Sequence, residues 1–173
     1  DVVFIKILIG ISGSGKSTYV RDVAKEHNEK VCSTDKFVDE HAMSRFNEDG
    51  VKLSYEEAFD DIQKNDMFKV ITARFYDEIE ENIKNGDNFI IDRTNLSARA
   101  RASLIKELRG LGKKYSKAVA IIGIIFNPSV SVIRERLKKR IILENKRIPD
   151  DVLEDQIKYF EVPTKDEDFD ILE

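Results

Sequence analysis

The chain has 173 residues, 41% of them hydrophobic and 36% charged, which is typical of one ordinary soluble globular domain. No apolar run approaches the roughly 20 residues of a membrane-spanning helix, and a net charge of −4 excludes a strongly basic nucleic-acid-binding coat. The single cysteine, Cys32, excludes an internal disulfide and indicates a reducing compartment, so we expect a cytoplasmic protein.

Charged residues are sorted along the chain rather than spread evenly. Acidic residues dominate from Asp35 to Asp87 and from Asp150 to Glu173, whereas the stretch between Arg93 and Arg147 is rich in lysine and arginine. This pattern has two interpretations, either solvated helix faces or a positive edge of the fold that binds an anion.

The first elements in chain order are a strand, a glycine-rich bend and a helix. The β-branched run VVFIKILI is bounded by Gly10 and is typical of a buried strand. The residues after the bend predict a helix that reaches about His27. A second, weaker strand, KVCS, ends at Ser33 with Cys32 as a buried filler, and a helix over residues 36–43 follows.

A long helical region occupies the middle of the chain. Ser54 with Glu57 forms a capping-box pattern, so we expect a helix to begin there. A break is predicted near Asn65, after which the helix continues to Asn85 and ends at Gly86.

Two more strands alternate with helices in the second half. NFIID, which ends at Asp92, is predicted as the third strand, and Ser97 as the cap of a helix that reaches about Leu111. The run AVAIIGIIF, from Ala118 to Phe126, is the strongest strand signal, and we expect this strand to be central and fully covered. The last predicted helices run from about Ser129 toward Leu143 and, after Pro149, from Asp150 to Phe160.

This alternation predicts an α/β fold, a single domain over residues 1–173 with a parallel sheet covered by helices on both faces. We expect the sheet to have five strands, of which the sequence locates these four. Such sheets bind ligands beyond the carboxyl ends of their strands. Three loops with chemically active residues follow predicted strands: Gly10 to Gly15, Thr34 with Asp35, and Asp92 to Asn95. We therefore expect these loops to form one site.

The first loop, GISGSGKS, matches the phosphate-binding pattern G-x-x-x-x-G-K-[ST] in full and lies between a strand and a helix, as that motif requires. Glycines let successive backbone N–H groups point at phosphate oxygens. Lys16 is expected to contact the β and γ phosphates of ATP, and the Ser17 hydroxyl to bind Mg²⁺. The predicted ATP-binding residues are Gly13, Ser14, Gly15, Lys16, Ser17 and Thr18.

The second loop contains Asp35. A carboxylate there is suited to orient an acceptor hydroxyl opposite the γ-phosphate and to take its proton late in the transfer. The alternative is that Asp35 only caps the next helix.

The third loop follows Asp92, which ends an apolar strand as does a Walker B carboxylate that holds Mg²⁺ through water. Its neighbours Arg93, Thr94 and Asn95 add a cation and two hydrogen-bonding side chains. Arginines at 99 and 101 are expected in the first turns of the following helix, where their planar forks suit phosphate.

Arg136 and Arg140 are four residues apart on one predicted helix, so they project from the same face. The polar segment ENKRIP that follows is suited to act as a mobile cover, which would bring these arginines onto the transferring phosphoryl group and expel water. Neighbouring cations such as Arg134 are interpreted as an ordinary solvated helix face.

Taken together, GISGSGKST, Asp35, IIDRTNLSARAR, the pair Arg136 and Arg140, and IPDDVLEDQIKYFEVP resemble the phage-type polynucleotide 5′-hydroxyl kinases, a family of P-loop kinases related to nucleoside monophosphate kinases. The resemblance covers nearly the whole chain. It implies a P-loop kinase fold with an arginine-bearing lid at about residues 140–149, and a nucleic-acid repair role, in the host cytoplasm if the protein is phage-encoded.

The resemblance also implies roles for individual residues. Lys16, Asp35, Arg136 and Arg140 would be catalytic, with Asp35 activating the 5′-hydroxyl, and Ser17 would bind the metal. The implied acceptor-binding residues are Asp35, Asp92, Arg93, Thr94, Asn95 and Arg99. The expected reaction is Mg²⁺-dependent transfer of the γ-phosphate of ATP to the 5′-hydroxyl end of DNA or RNA.

Departures from the family keep an alternative open. Some members place an arginine three residues beyond the catalytic aspartate, where this chain has Val38, and the D-x-D-G-T motif of an attached phosphatase is absent. The alternative is a kinase of a free nucleotide, a nucleoside, another small hydroxyl compound or a hydroxylated base in phage DNA. A nucleotide-gated binding module is disfavoured, because such a module needs no acceptor-side carboxylate. The sequence leaves the number of assembled copies open.

Aromatic residues near the second loop have two interpretations. Phe37, Phe46, Tyr55 and Phe59 are suited to line an acceptor cleft, but most of them are better explained as core residues.

Overall fold

A computed structural model describes residues 1–173 and contains one parallel sheet of five strands in the order β2-β3-β1-β4-β5. The strands are β1 (Val2–Ile9), β2 (Lys30–Ser33), β3 (Phe89–Asp92), β4 (Ala118–Ile125) and β5 (Ile171–Leu172). The predicted α/β class and its five-stranded parallel sheet are confirmed. The fifth strand is only two residues long, and its position near the end of the chain was not predicted.

Helices connect the strands. A continuous helical run after the first loop consists of α1 (Lys16–Tyr19), a π-helical turn (Val20–Ala24) and α2 (Lys25–His27). The other helices are α3 (Asp35–Ser44), α4 (Tyr55–Lys64), α5 (Phe68–Asn85), α6 (Ala98–Lys114), α7 (Val130–Glu144) and α8 (Asp150–Tyr159). None of them combines the length and the apolar character that crossing a bilayer requires.

Helix ends follow the local sequence closely. The Ser54 side chain accepts from the backbone N–H of Glu57 while Glu57 accepts from the N–H of Ser54, so the predicted capping box starts α4. Gly86, with φ of 73°, ends α5 in the left-handed conformation. Helix α6 runs three residues past the predicted end, to Lys114, and a Cβ at Gly112 within it would lie 2.9 Å from the Lys117 carbonyl oxygen.

The main core lies between the sheet and helices α3 to α6, where Ile5, Phe75 and Phe89 are fully buried. The expectation that β4 is central and fully covered is wrong. Strand β1 is central, and only Ile121 and Gly123 of β4 are buried. Strand β4 is second from one edge of the sheet, with only the two-residue β5 outside it.

Strand register brings the three loops together. Ile7 of β1 pairs with Ile91 of β3, and Ser33 of β2 pairs with Asp92 of β3, so three adjacent strands end at the same edge of the sheet. The expectation that the loops after β1, β2 and β3 share one edge is therefore confirmed.

Arg101 has a structural role in this arrangement, which corrects the expectation that its guanidinium is available to a phosphate. Its side chain is fully buried and forms a two-pronged ion pair with Glu167, at 2.7 and 3.1 Å. The same guanidinium donates to the carbonyl oxygens of Asn95 and Leu96, at 2.9 and 2.8 Å. Arg101 therefore stabilises the third loop through the backbone carbonyl groups of that loop.

This ion pair gives a stability prediction. Glu167→Ala should lower the free energy of unfolding by about 3–5 kcal/mol, because it leaves a buried charge unpaired. The double variant Arg101→Met/Glu167→Leu should recover part of that loss. Urea unfolding measures both effects. Glu80→Gln, which removes a partner of the exposed Lys114, is the control and should matter far less; an equally small effect of Glu167→Ala would contradict the role.

Candidate active site

A cleft of about 580 Å³ opens at the carboxyl edge of the sheet. It is bounded by the first loop, the start of α3, the third loop, the second half of α7 and the segment that leads into α8. Cations outnumber carboxylates in its lining: Lys16, Arg21, Arg93, Arg136, Lys139 and Arg140 against Asp35, Asp92 and Glu144. The cleft therefore favours an anionic ligand although the whole chain is acidic.

The first loop has the geometry of a phosphate cradle. Gly13 and Gly15 have φ of 81° and 111°, values that other residues rarely adopt. A Cβ at Gly10 would lie 2.6 Å from the carbonyl oxygen of Phe126, so only glycine fits there. Five consecutive or near-consecutive backbone N–H groups have no hydrogen-bond partner in the protein: those of Gly13, Gly15, Lys16, Ser17 and Thr18. These donors are suited to phosphate oxygens.

Ser14 differs from the rest of this loop. Its side chain is buried, its hydroxyl has no hydrogen-bond partner, and its backbone N–H donates to the carbonyl oxygen of Ile11 at 3.2 Å. A contact between Ser14 and ATP therefore stays a prediction, without support from a free donor facing the cleft.

Lys16 is held inside the loop. Its Nζ donates to the carbonyl oxygens of Gly10 and Ile11 at 2.8 and 2.9 Å, and only 8% of the residue is exposed. Burial lowers the pKa of its ammonium from the usual 10.5 to about 8, and the negative charges of Asp92 and Asp35 oppose this shift. A phosphate near Nζ would offset the cost of burial, so the site fits a polyphosphate.

Asp35 is the first residue of α3, but it does not cap that helix. The N-cap is Thr34, and no side chain makes a capping hydrogen bond there. Instead, the Asp35 Oδ1 accepts a hydrogen bond of 2.7 Å from the hydroxyl of Tyr55, at the start of α4. Burial, together with the charge of Asp35, raises the pKa of Tyr55, which keeps the phenol protonated as a donor.

Sequence reasoning missed the role of Tyr55. It considered this tyrosine as a cleft or core residue, because the hydrogen bond joins positions 20 residues apart and leaves no local signal. Of the other aromatic residues, Phe59 lines the cleft, Phe37 is in the core and Phe46 is exposed. Val38, at the position of the family's arginine, is 2% exposed and faces the core.

Some residues of the third loop face the cleft, whereas others contact the backbone. Asp92, Arg93 and Thr94 line the cleft, and burial raises the pKa of Asp92 while the charge of Lys16 opposes the shift. The Asn95 amide donates to the carbonyl oxygens of Leu8 and Arg93 at 2.7 and 3.2 Å, so it holds the backbone.

Arg99 lies apart from these residues. It is exposed on α6 and is not among the residues that line the cleft. Acceptor binding by Asn95 and Arg99 therefore stays a prediction that this geometry does not support.

Arg136 and Arg140 both line the cleft from α7. Arg136 donates to the Gly13 carbonyl oxygen at 3.4 Å, and Arg140 pairs with Glu144 at 3.4 Å. The proposed lid is partly helical, because α7 continues to Glu144 and only residues 145–149 lie outside a helix.

The part of the lid that follows α7 is tied to α3. Lys146 forms an ion pair of 3.0 Å with Asp39 of α3 and lies 5.7 Å from the ring centre of Tyr55. On the other side, Gln156 of α8 accepts from the backbone N–H of Ser12 at 2.8 Å, a contact that local sequence patterns did not indicate.

The residues present fit a magnesium ion that arrives with a nucleotide. No three His, Cys, Asp or Glu side chains are grouped closely enough to hold a metal. Mg²⁺ in nucleotide sites commonly keeps several waters and takes only one or two protein ligands, with phosphate oxygens completing the shell. Ser17 and, through water, Asp92 are suited to those positions.

Comparisons with known proteins agree with this architecture. A family model described as an AAA domain matches residues 5–163, and no curated protein matches the chain. Solved structures of similar fold include a fungal RNA kinase, at 13% identity and a TM-score of 0.62 over 99% of this chain and 38% of that chain.

Two further structures are bacterial. A sugar kinase from Janibacter has 19% identity and a TM-score of 0.57 over 99% of this chain and 85% of that chain. A gluconokinase from Sinorhizobium meliloti has 18% identity and a TM-score of 0.53 over 97% and 81% of the two chains. At these identities the likeness establishes the fold alone, which is the P-loop kinase fold.

The burial of Lys16 gives a pH prediction for the ligand-free protein. Because its folded-state pKa of about 8 is below the usual 10.5, the unfolded chain binds more protons between these pH values, and stability rises through that window. Relative to Lys16→Met, the wild-type free energy of unfolding should therefore gain up to about 3 kcal/mol from pH 7 to pH 10. Urea unfolding of both proteins in EDTA measures this; parallel pH curves would contradict it.

Proposed function

The chain belongs to the AAA domain family whose model spans most of its length, and from this premise we propose that it is a kinase that transfers the γ-phosphoryl group of ATP to the 5′-hydroxyl end of DNA or RNA. The observation that carries the proposal is that Asp35 lines the same cleft as the phosphate-binding loop, with one carboxylate oxygen held by Tyr55. A nucleotide-gated binding module, which binds ATP without transferring phosphate, has no need of a carboxylate that orients an acceptor hydroxyl.

The proposed reaction is an in-line displacement. The acceptor oxygen attacks the γ-phosphorus, the bond from that phosphorus to the β,γ-bridging oxygen breaks, and ADP leaves with the electron pair of that bond. Asp35 orients the hydroxyl through its second oxygen and accepts its proton late, as a loose transition state permits. Positioning therefore contributes more than basicity.

The surrounding charges suit this transfer. Lys16 and the free N–H groups of the first loop would hold the β and γ phosphates, with Mg²⁺ bound by Ser17 and neutralising the phosphate charge. Arg136 and Arg140 project from α7 into the same cleft and would stabilise the transferring group. The segment after α7 would exclude water, because Lys146 ties it to Asp39 of α3, the helix that begins with Asp35.

A kinase of a small hydroxyl compound is the second candidate. It is favoured by the burial of Val38, since α3 then offers no arginine for a nucleic-acid phosphate. Two of the structural neighbours are also described as a gluconokinase and a sugar kinase. The cleft chemistry alone suits either acceptor.

Labelled ATP with Mg²⁺ separates the two candidates. We expect label on a 5′-hydroxyl oligonucleotide, none on its 5′-phosphorylated form, and little on free sugars. Asp35→Asn should abolish this transfer while leaving ATP affinity nearly intact, because the carboxylate serves the acceptor. Asp60→Asn, on an exposed position of α4, is the control. Transfer by Asp35→Asn at the parent rate would refute the assigned base.

The hydrogen bond from Tyr55 gives a finer prediction. Tyr55→Phe should lower kcat by about 10- to 100-fold, the range expected for a lost hydrogen bond to a charged group, while the KM for ATP stays within about twofold. Tyr115→Phe is a matched control, because that phenol donates to Glu80 at 2.6 Å away from the cleft. Equal kinetics of the two variants would show that Tyr55 does not position Asp35.

A further inference from the structure

Arg93 lies where two cavities meet. It lines the cleft described above and also a groove of about 420 Å³ between α5 and the start of α6. Thr94 is the other residue shared by both linings. A ligand whose reacting end lies near Asp35 can therefore continue past Arg93 into the groove.

The Arg93 guanidinium is unpaired within the protein. It forms no ion pair and its side chain makes no hydrogen bond. It is half-buried and rests over the ring of Phe75, 5.0 Å from the ring centre. Stacking fixes the plane of the guanidinium while its donors remain free, an arrangement suited to the oxygens of a phosphate.

The groove itself suits the backbone of a nucleic acid. No acidic side chain lines it, although the chain carries more acidic than basic residues. Hydroxyl groups, which commonly contact phosphate and sugar oxygens, come from Thr72, Tyr76, Thr94, Ser97 and Ser103.

We propose that this groove binds the sugar–phosphate backbone of the acceptor strand beyond its first nucleoside, with Arg93 contacting the first phosphate. The inference rests on the proposed function and specifies its substrate class, because a small hydroxyl compound held at Asp35 has no part that reaches α6. It also explains how the protein recognises a strand although Val38 is buried: the arginine for the acceptor phosphate comes from the loop after β3 instead of from α3.

The test is a series of 5′-hydroxyl acceptors of increasing length: a nucleoside, a nucleoside 3′-monophosphate, a dinucleotide and a tetranucleotide. The wild-type kcat/KM should rise about tenfold or more on adding the first phosphate, and again with the longer strands. Arg93→Gln should remove most of the first rise. Arg74→Gln is the matched control, because that guanidinium also stacks on a phenylalanine, Phe37 at 4.7 Å, but lines neither cavity.

A second pair of variants tests the groove. Ser103→Glu places a carboxylate in it and should remove the second rise, from nucleotide to tetranucleotide, by repelling the strand. Ala102→Glu adds the same charge at the preceding position of α6, outside the groove, and should retain that rise.

The outcomes distinguish two failures. If strands are phosphorylated but length has no effect, or if the Arg93 and Ser103 variants behave as their controls do, the groove assignment is overturned and the kinase proposal stands. If no 5′-hydroxyl strand accepts label while a small hydroxyl compound does, the proposed function is overturned, and the inference with it.

Discussion

Two hydrogen bonds join the end of β1 and the loop after it to the loop after β3, and the rest of the site depends on them. The Gly10 N–H donates to the Thr94 carbonyl oxygen at 3.0 Å, and the Asn95 amide donates to the Leu8 carbonyl oxygen at 2.7 Å. The buried Arg101 holds the same loop from behind. The phosphate cradle and the Asp92 carboxylate are therefore fixed relative to each other before any ligand binds, which is the preorganisation that phosphoryl transfer requires.

The cleft contains positively charged side chains that have no carboxylate partner within the protein. Lys16 is buried against carbonyl oxygens rather than a carboxylate, and Arg93 stacks on a ring without an ionic partner. Burying such groups costs stability in the free protein. A triphosphate with its metal, and an anionic acceptor strand, supply the missing partners, so the same cost becomes binding energy for the substrates.

Local patterns in the sequence predicted four of the five strands, the caps at Ser54 and Ser97, and the meeting of three loops at one edge, because periodicity, capping and strand direction act over short distances. They did not predict that Arg101 is buried or that Tyr55 contacts Asp35, since each contact joins residues far apart in the chain. The central position of β4 was wrongly predicted for a related reason: an apolar run does not reveal where its strand lies in the order of the sheet.

The most direct test of the account is a crystal structure with a non-hydrolysable ATP analogue, Mg²⁺ and a 5′-hydroxyl dinucleotide. In that complex we expect the triphosphate to lie within the loop from Gly13 to Thr18, and the acceptor 5′ oxygen to lie about 2.6–3.2 Å from a carboxylate oxygen of Asp35. An acceptor bound with its 5′ oxygen away from Asp35, or a nucleotide bound outside the first loop, would contradict it.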